Sequence, residues 1–539
     1  MTAKDASATQ DAFGPDQTLA LDWIARNSAA LSRDHMTIWD FHEPSWREYK
    51  SAAWYVERLR AEGFTVEVGS GGMPTAFCAT WSNGEGPTIG GYAEYDAVPG
   101  TSQAPVPRRE PRAGVSRHAA GHTDPHSALG LGSFTGFLAA KHVMEKNGIK
   151  GRLKFLGEPA EKMCGSKPVH AAKGYYDDLD AALSFHPHSF PRLANSCFWD
   201  THSAPYWSRI YTFECEHPET WQNAGAVTGV THSHASARAP GAIDAVCLMY
   251  TSSKYMKEAM LPHHGSWSLN EFILHAGQAA ADNLAPGLGQ IQYSLRAPDL
   301  AMCERVFEVL DRNAEHCAAM SHCKVTAAWI TRTRAGLANH AMAEVAWRNF
   351  QRVGAPQWGE GAKRFARDIQ ASLGLEPMAD PFTPEIQELT APWEGEKAFR
   401  EQLPPWQTNL AADDYVDYTW HAPTVRLYVG RPTLRAPHPG YRYPDWTRYA
   451  MGGVPDCIDP MWLTAGRVIA TTILDLLTDG VSLDRAQAEF RERTGGGVGG
   501  ATWVAPLLPK DFAAPVHYRW PEYVETARGT EWTIPTAAP

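Results

Sequence analysis

The sequence of 539 residues has no long hydrophobic run and no closely paired cysteines. No stretch approaches the roughly 18 consecutive apolar residues of a membrane span. The nine cysteines are scattered and never form a C-x-x-C pair, which is typical of a reduced protein. The first residues, MTAKDASATQDAFGPDQ, lack the apolar segment of a signal peptide. We therefore expect a cytoplasmic protein that has no membrane partner.

The sequence also has no excess of basic charge. The 49 Lys and Arg residues are outnumbered by 60 Asp and Glu residues, which gives a net charge of -11. A general nucleic-acid binder would show the opposite balance, so no nucleic-acid partner is expected. Histidine and tryptophan are plentiful instead, with 22 and 20 residues. These side chains suit metal sites and aromatic pockets.

Segments with the patterns of strands and helices alternate along the chain, which predicts an α/β sheet. Residues 206–327 have the pattern of a separate α+β unit. The sequence therefore predicts one α/β domain in two parts, residues 1–205 and 328–539 with a C-terminal tail, interrupted by the unit at 206–327.

Carboxylates and imidazoles concentrate where the predicted strands end. In open α/β sheets, ligands bind outside the carboxyl ends of the strands. Asp, Glu and His side chains at such an edge can bind Zn or Mn. The segments concerned are Glu94 to Asp96, Glu158 to Glu161, His186 to His188, Asp413 to Asp417, and GHTDPHS at His122 to Ser127. Together they predict a metal site.

The ordered motifs resemble a known family. EYDAVPG at 94–100, GEPAE at 157–161 and DAALSFHP at 180–187 are similar to the aminoacylase and carboxypeptidase metallohydrolases, peptidase family M twenty. PGTSQ at 99–103 and GHTDPHS at 121–127 resemble the aminobenzoyl-glutamate hydrolase branch. The resemblance implies a zinc-peptidase-like α/β catalytic domain that bears the metal, an inserted α+β lid and dimerisation domain, and a homodimer or higher homo-oligomer.

The resemblance also implies roles for individual residues. Glu161 matches the general base, and Asp96 matches a carboxylate that orients a metal ligand. In the lid, His234 (or His232) and Asn283 match residues that contact substrate. The implied metal ligands are His126, His186, Asp124 in the place of a usual Cys, Glu94 in the place of a first His, and His438 as the candidate for the last ligand.

One departure from the family pattern lies beside the base. Lys162 stands where relatives have a second Glu that binds metal. With Asp124 in place of a thiolate, the donor set favours Mn, Fe or Co over Zn. We expect one divalent transition metal per subunit, Mn first, with Zn, Co or Fe as alternatives. In the other interpretation, Lys162 points away and Glu158 supplies the missing oxygen.

The loop between PGTSQ and GHTDPHS carries four arginines, Arg108, Arg109, Arg112 and Arg117. Arginine binds carboxylates through two parallel hydrogen bonds. With the many aromatic residues, this predicts a small aromatic carboxylate as substrate, bound by Arg117 and Lys162. The alternative is a solvated surface loop.

Two reactions follow from the resemblance. The preferred hypothesis is an aminohydrolase of nitroaromatic degradation, in which a metal hydroxide displaces the ring amino group of 5-nitroanthranilate and releases ammonia. The first alternative is an amidohydrolase that cleaves an aminobenzoyl-glutamate-like or N-acyl amino acid amide. The second alternative is a catalytically inactive homologue that only binds ligand.

Overall fold

The structure is a computed structural model that describes residues 12–190, 192–216, 238, 240–260, 267–277 and 285–533. The predicted lid residues His232, His234 and Asn283 lie outside the described residues. Their roles therefore stay predictions.

The described elements alternate between helices and strands, as the sequence pattern predicts. The helices are α1 Pro15–Phe41, α2 Tyr49–Ala61, α3 His126–Asn147, α4 Lys167–Ala172, α5 Ala242–Met260, α6 Leu300–Met320, α7 His340–Val353, α8 Glu360–Ser372, α9 Pro392–Arg400, α10 Trp446–Gly452, α11 Pro455–Thr478 and α12 Gly480–Thr494. The strands are β1 Thr65–Val68, β2 Phe77–Ser82, β3 Thr88–Ala93, β4 Arg152–Gly157, β5 Ala181–His188, β6 Ser196–Cys197, β7 Ser203–Ala204, β8 Tyr206–Glu214, β9 Ser268–His275, β10 Leu288–Arg296, β11 Lys324–Arg332, β12 Leu410–Ala412, β13 Thr424–Gly430, β14 Tyr523–Thr526 and β15 Gly529–Trp532.

A seven-stranded sheet with the order β1-β2-β4-β3-β5-β13-β6 forms the main unit. Strands β4, β3, β5 and β13 are parallel, and the strands outside them pair antiparallel. Every residue of β3 and β13 is buried, as expected for parallel strands covered on both faces. The predicted mixed α/β architecture is confirmed.

Helices α3 and α11 cover this sheet and pack closely on each other. A Cβ at Gly136 of α3 would lie 2.5 Å from Ile469 of α11, so only glycine fits at this contact. Helix α3 ends at Gly148, whose φ of 69° suits a left-handed cap. By length and composition α11 could cross a membrane, contrary to the sequence expectation, but 78% of its apolar window is buried inside the structure. Within the described residues it is a core helix.

The inserted unit has its own sheet and core. Strands β11, β8, β10 and β9 form an antiparallel four-stranded sheet, and α5 and α6 pack on it around buried residues such as Val246 and Leu310. Helix α6 starts at Asp299, whose side chain caps the Met302 amide. Strand β11 continues to Arg332, so the insert extends past the predicted boundary at 327.

The C-terminal segment, residues 503–533, returns to the loops at the carboxyl edge of the main sheet. It contains the hairpin of β14 and β15. Trp532 packs beside Ala97, just after β3, and the Arg47 guanidinium pairs with Glu522 at 2.8 Å. The segment therefore lies against the edge where the parallel strands place their functional residues.

Candidate metal and catalytic site

The carboxyl ends of the parallel strands bring five of the predicted site residues together. Glu94 and Asp96 follow β3, Glu161 follows β4, His186 lies on β5, and His126 is the first residue of α3. Each of the groups Glu94–His126–His186 and Asp96–His126–Glu161 has its ligand atoms within 4.8 Å of one another. The edge predicted from the strand pattern is therefore the place where these donors converge.

His126 is held in one tautomer by Asp96. Its Nδ1 donates a hydrogen bond to Asp96 Oδ1 at 2.7 Å, so its Nε2 carries the ring's lone pair, which here accepts from Lys162 Nζ at 2.9 Å. Asp96 Oδ2 accepts from Ser45 Oγ at 2.7 Å and from the Lys162 amide at 3.0 Å. Burial opposes ionisation of Asp96, but the hydrogen bond from His126 and the charge of Lys162 prevail and lower its pKa. Asp96 is thus an ionised carboxylate that orients an imidazole ligand.

His186 is also prepared as a neutral donor. Its Nδ1 donates to the carbonyl oxygen of Pro187 at 2.7 Å, which leaves Nε2 as the ring's lone pair. Burial and the nearby Arg426 charge lower the pKa of His186 well below its ordinary value. A neutral imidazole is the form that binds a metal.

Lys162 faces the same cluster. Its Nζ donates to His126 Nε2 at 2.9 Å and to Asp124 Oδ2 at 3.1 Å, and it lies 3.6 Å from Glu161 Oε2. Burial alone would lower the pKa of Lys162, but Asp124 and Glu161 raise it above its ordinary value, so the side chain is an ammonium. This arrangement differs from the interpretation in which Lys162 points away.

Asp124 is already paired on both of its oxygens. Oδ1 accepts from Arg431 at 2.8 Å, and Oδ2 accepts from Lys162. Asp124 belongs to none of the donor groups found among the described residues. Its expected role as a metal ligand would require these ion pairs to rearrange.

Glu94 has one oxygen in use and one available. Lys167 Nζ bridges Glu94 Oε1 at 2.7 Å and Asp414 Oδ1 at 2.6 Å, and all three side chains are fully buried. The second oxygens, Glu94 Oε2 and Asp414 Oδ2, have no hydrogen-bond partner within the described part of the chain. Buried polar atoms without partners are costly, so these two oxygens fit the ligand atoms of a cation.

The charges of the side chains around the donor cluster also fit a bound cation. Six carboxylates contact the nearby cations or His126, and four cations face them. The carboxylates are Glu94, Asp96, Asp124, Glu161, Asp413 and Asp414, and the cations are Lys162, Lys167, Arg426 and Arg431. Counted with all six carboxylates ionised and the imidazoles neutral, these described groups carry two more negative than positive charges. A divalent ion held by Glu94, His126 and His186 would neutralise this excess once the Lys162 ammonium moves off His126 Nε2, so these residues fit a metal.

The excess negative charge also acts on Glu161. Burial and the neighbouring Glu94 raise the pKa of Glu161 to about 7, although Lys162 and His126 oppose the shift. Burial, with Glu161 and Asp413 nearby, likewise raises the pKa of Asp414 well above its ordinary value despite the Lys167 contact. A carboxylate with a pKa near 7 can both accept and return a proton at neutral pH.

We expect Lys167→Met to destabilise the protein by about 3–5 kcal/mol, because Glu94 and Asp414 would lose the partner of two buried charges. Urea unfolding of the purified protein measures this. Lys324→Met, which removes a lysine that is 70% exposed and pairs with Glu216, is the matched control and should change stability little. Equal stabilities of the two variants would contradict the role of Lys167.

Three other predicted site residues lie outside the cluster. Glu158 accepts hydrogen bonds from His170, Tyr176 and Tyr418, so it does not supply the missing oxygen. His438 is exposed, and its Nδ1 contacts the Pro439 carbonyl oxygen. Arg117 is exposed and contacts His118. The other arginines of that loop are paired elsewhere or exposed, Arg108 with Glu110, Arg112 with Asp40, and Arg109 at the surface.

Sequence reasoning missed three cationic residues of the site, Lys167, Arg426 and Arg431. Arg431 directly follows β13, so the rule that strand ends carry functional residues could have indicated it. Lys167 and Arg426 have no such signal, because a lysine at the start of a helix and an arginine inside a strand are ordinary in a sequence.

No family model matches the chain, but comparisons with known proteins found relatives of it. The chain is similar to a p-aminobenzoyl-glutamate hydrolase subunit of Escherichia coli (strain K12), with 25% identity over 467 residues, 85% of this chain and 91% of that protein. It is 33% identical over 148 residues to thermostable carboxypeptidase 2 of Saccharolobus solfataricus, 27% of this chain and 35% of that protein. Among solved structures, an aminobenzoyl-glutamate utilization protein from Klebsiella pneumoniae aligns at a TM-score of 0.48 and 14% identity, over 84% of this chain and 98% of that one.

The predicted class, an enzyme that hydrolyses C–N bonds, is confirmed by these relatives. The donor cluster on the strand edge fits the metal that such a hydrolase uses. The chain is therefore similar over most of its length to the E. coli p-aminobenzoyl-glutamate hydrolase polypeptide, in agreement with the resemblance of its motifs to the aminoacylase and carboxypeptidase metallohydrolases.

Proposed function

We propose that this protein is an amidohydrolase that cleaves the amide bond between an aromatic acyl group and an amino acid such as glutamate. The observation that carries the proposal is the position of Glu161, whose Oε2 lies 3.2 Å from His126 Nε2, beside the donors Glu94, His126 and His186. The substrate class is supported by the name of the E. coli relative. This was the alternative from the sequence, and the relatives support it better than the preferred ring reaction.

We assign one divalent ion to Glu94, His126 and His186, with Mn first because two of the nearest free donor atoms are carboxylate oxygens. When bound, such an ion polarises the amide carbonyl and makes an attacking water more acidic. Asp96 keeps the His126 lone pair directed at this position through the 2.7 Å hydrogen bond at Nδ1.

Glu161 and Lys162 have different roles in the proposed reaction. Glu161 takes the proton of the attacking water and returns it to the leaving amine nitrogen, which its pKa near neutrality allows. The Lys162 ammonium, with Nζ 3.6 Å from Glu161, can stabilise the negative charge that develops on the carbonyl oxygen. Lys162 therefore has a role even though it cannot bind metal while it is charged.

One observation favours the second candidate, displacement of the ring amino group of 5-nitroanthranilate. Lys162 stands where the family resemblance implies a metal-binding Glu, and ordinary amide hydrolysis does not require that change. In this reaction Glu161 would take the proton of the attacking water and return it to the departing ammonia.

Incubating the purified protein with Mn and each substrate separates the two candidates. We expect p-aminobenzoyl-glutamate to yield 4-aminobenzoate and glutamate in a one-to-one ratio by liquid chromatography, without ammonia. Ammonia release from 5-nitroanthranilate with no cleavage of the amide would overturn the proposal in favour of the ring reaction. No turnover of either substrate would favour the inactive homologue.

A charge reversal at Lys162 tests the number of metal ions. The wild type should retain one divalent ion per subunit after dialysis, measured by inductively coupled plasma mass spectrometry. Lys162→Glu should retain two, because a carboxylate would then join Asp124 and Glu161 around the former Nζ position. Lys162→Met, the control of similar length, should retain one. Two ions in the wild type, or one in Lys162→Glu, would contradict the assignment.

We further propose a cytoplasmic homodimer or higher homo-oligomer, as the family resemblance implies. The E. coli relative is named as a subunit, so a complex with a different chain is the competing arrangement. Light scattering of the purified protein alone would show a multiple of 59.3 kDa in the first case.

A further inference from the structure

A small apolar cavity of about 330 Å³ lies beside the metal cluster. Three parts of the fold form its walls. The loops of the main sheet contribute Ser45 and Lys162, the inserted sheet contributes Phe272 from β9 and Gln292 from β10, and the C-terminal segment contributes Trp520.

The cavity and the cluster share two residues. Ser45 Oγ donates to Asp96, and Lys162 Nζ donates to His126 and Asp124. A lysine ammonium has three N–H donors, and the described hydrogen bonds use two of them. The third is available to a ligand in the cavity.

The residues that line the cavity indicate which kind of ligand it can bind. Lys162 is the one charged side chain among the described residues that line the cavity, and most of the other lining groups are aromatic, aliphatic or proline. Such walls favour an apolar ring, and the ammonium favours an oxygen anion or a polarised carbonyl at one end. The volume is at the small end of ligand cavities, which span about 300–1,000 Å³. It suits one ring system better than a peptide.

The wall contributed by the C-terminal segment is firmly attached. Trp520 is 2% exposed, and its Nε1 donates to the Pro515 carbonyl oxygen at 2.7 Å. Arg47 anchors the same segment through Glu522 at 2.8 Å and the Val516 carbonyl oxygen at 3.2 Å. Trp520 is therefore a fixed surface against which a ring can pack.

We propose that this cavity is the acyl subsite, which takes a single aromatic ring and places its carbonyl or carboxylate group at Lys162. The C-terminal segment makes the enzyme selective for aroyl groups over short aliphatic acyl groups, because Trp520 completes the apolar wall. The assignment rests on the proposed function in one respect, that the cleaved carbonyl lies at the cluster.

Isothermal titration calorimetry with 4-aminobenzoate tests the subsite without turnover. Phe272→Ala, at a side chain that is 58% exposed on an edge strand, should weaken binding about 3- to 10-fold through the lost ring contact. Trp520→Phe keeps a ring in the buried position and should weaken binding by a smaller factor. Lys162→Met should weaken it about 10- to 100-fold. Tyr255→Ala, at an aromatic residue 78% exposed on α5, is the matched control and should bind as the wild type does.

The outcomes separate the subsite from the reaction. Wild-type affinity in both Phe272→Ala and Lys162→Met, or no binding by the wild type, overturns the subsite. Binding that depends on these residues in a protein that cannot cleave p-aminobenzoyl-glutamate keeps the subsite and overturns the amide hydrolysis. In an active enzyme, benzoyl-glutamate should have a lower KM than acetyl-glutamate, and equal KM values would overturn the selectivity assigned to Trp520.

Discussion

Glu161→Gln should reduce amide turnover by about 100- to 10,000-fold, the range that a general base contributes. The amide nitrogen of glutamine cannot accept a proton, whereas its size and shape match those of the carboxyl group. Glu161 is 8% exposed, and its Oε2 lies 3.2 Å from His126 Nε2, so it is placed to act next to the bound ion. Steady-state rates with p-aminobenzoyl-glutamate measure the loss.

The 4-aminobenzoate affinity of Glu161→Gln should stay within a few-fold of the wild type, because the cavity walls are unchanged. Glu158→Gln provides a contrast, since Glu158 belongs to the network of His170 and two tyrosines. That variant should lose thermal stability and keep most of its rate. Substantial residual activity in Glu161→Gln would remove Glu161 from the role of base.

His126→Ala should weaken metal binding at least about 100-fold, since even changes in residues that only support a ligand cost about 10- to 100-fold. The variant removes an imidazole that belongs to two of the three donor groups among the described residues, and it leaves Asp96 without the hydrogen bond at 2.7 Å. Titration of the chelated protein with Mn, followed by calorimetry, measures the affinity. His118→Ala, in an exposed position of the preceding loop, is the matched control.

If His126→Ala bound metal as tightly as the control, the ion would lie elsewhere, and the donors Glu94 and His186 would need another partner. Loss of both metal and turnover is expected, because the same imidazole directs its lone pair at the metal position and lies beside Glu161.

The fold and the main donors could be predicted because they follow from local patterns. Buried strands such as β3 appear in the sequence as apolar runs, and a carboxylate or imidazole directly after such a run must lie on the common edge of a parallel sheet. Glu94 and Glu161 come shortly after strands, and His186 lies near the end of one. His126, the first residue of α3, was indicated by the GHTDPHS motif instead. Which of these edge residues become neighbours is decided by the order of the strands in the sheet.

The pairing of charges could not be predicted in the same way. Asp124 has the right residue type and position for a ligand, yet Arg431 and Lys162 occupy both of its oxygens. Arg431 lies 307 residues from Asp124 in the chain and Lys162 lies 38 residues away, so no local sequence pattern predicts that both reach this carboxylate. The loop arginines were expected near the site, but the structure places Arg112 elsewhere. Its guanidinium lies 4.0 Å above the Trp39 ring.

The C-terminal segment was outside the reach of sequence patterns for a related reason. Its residues are rich in proline and tryptophan and have no helical or strand period over most of their length. Only the contacts of Arg47 with the segment, and the position of Trp520 beside Lys162, show that it closes the cavity.

The most direct test of the central claim is a metal titration of the activity. Protein freed of metal by chelation should not cleave p-aminobenzoyl-glutamate, and added Mn should restore the release of 4-aminobenzoate until the rate levels off at one equivalent per subunit. Full activity in the chelated protein, or no activity at any ratio of Mn, Zn, Co or Fe, would contradict a metal-dependent amidohydrolase centred on Glu94, His126, His186 and Glu161.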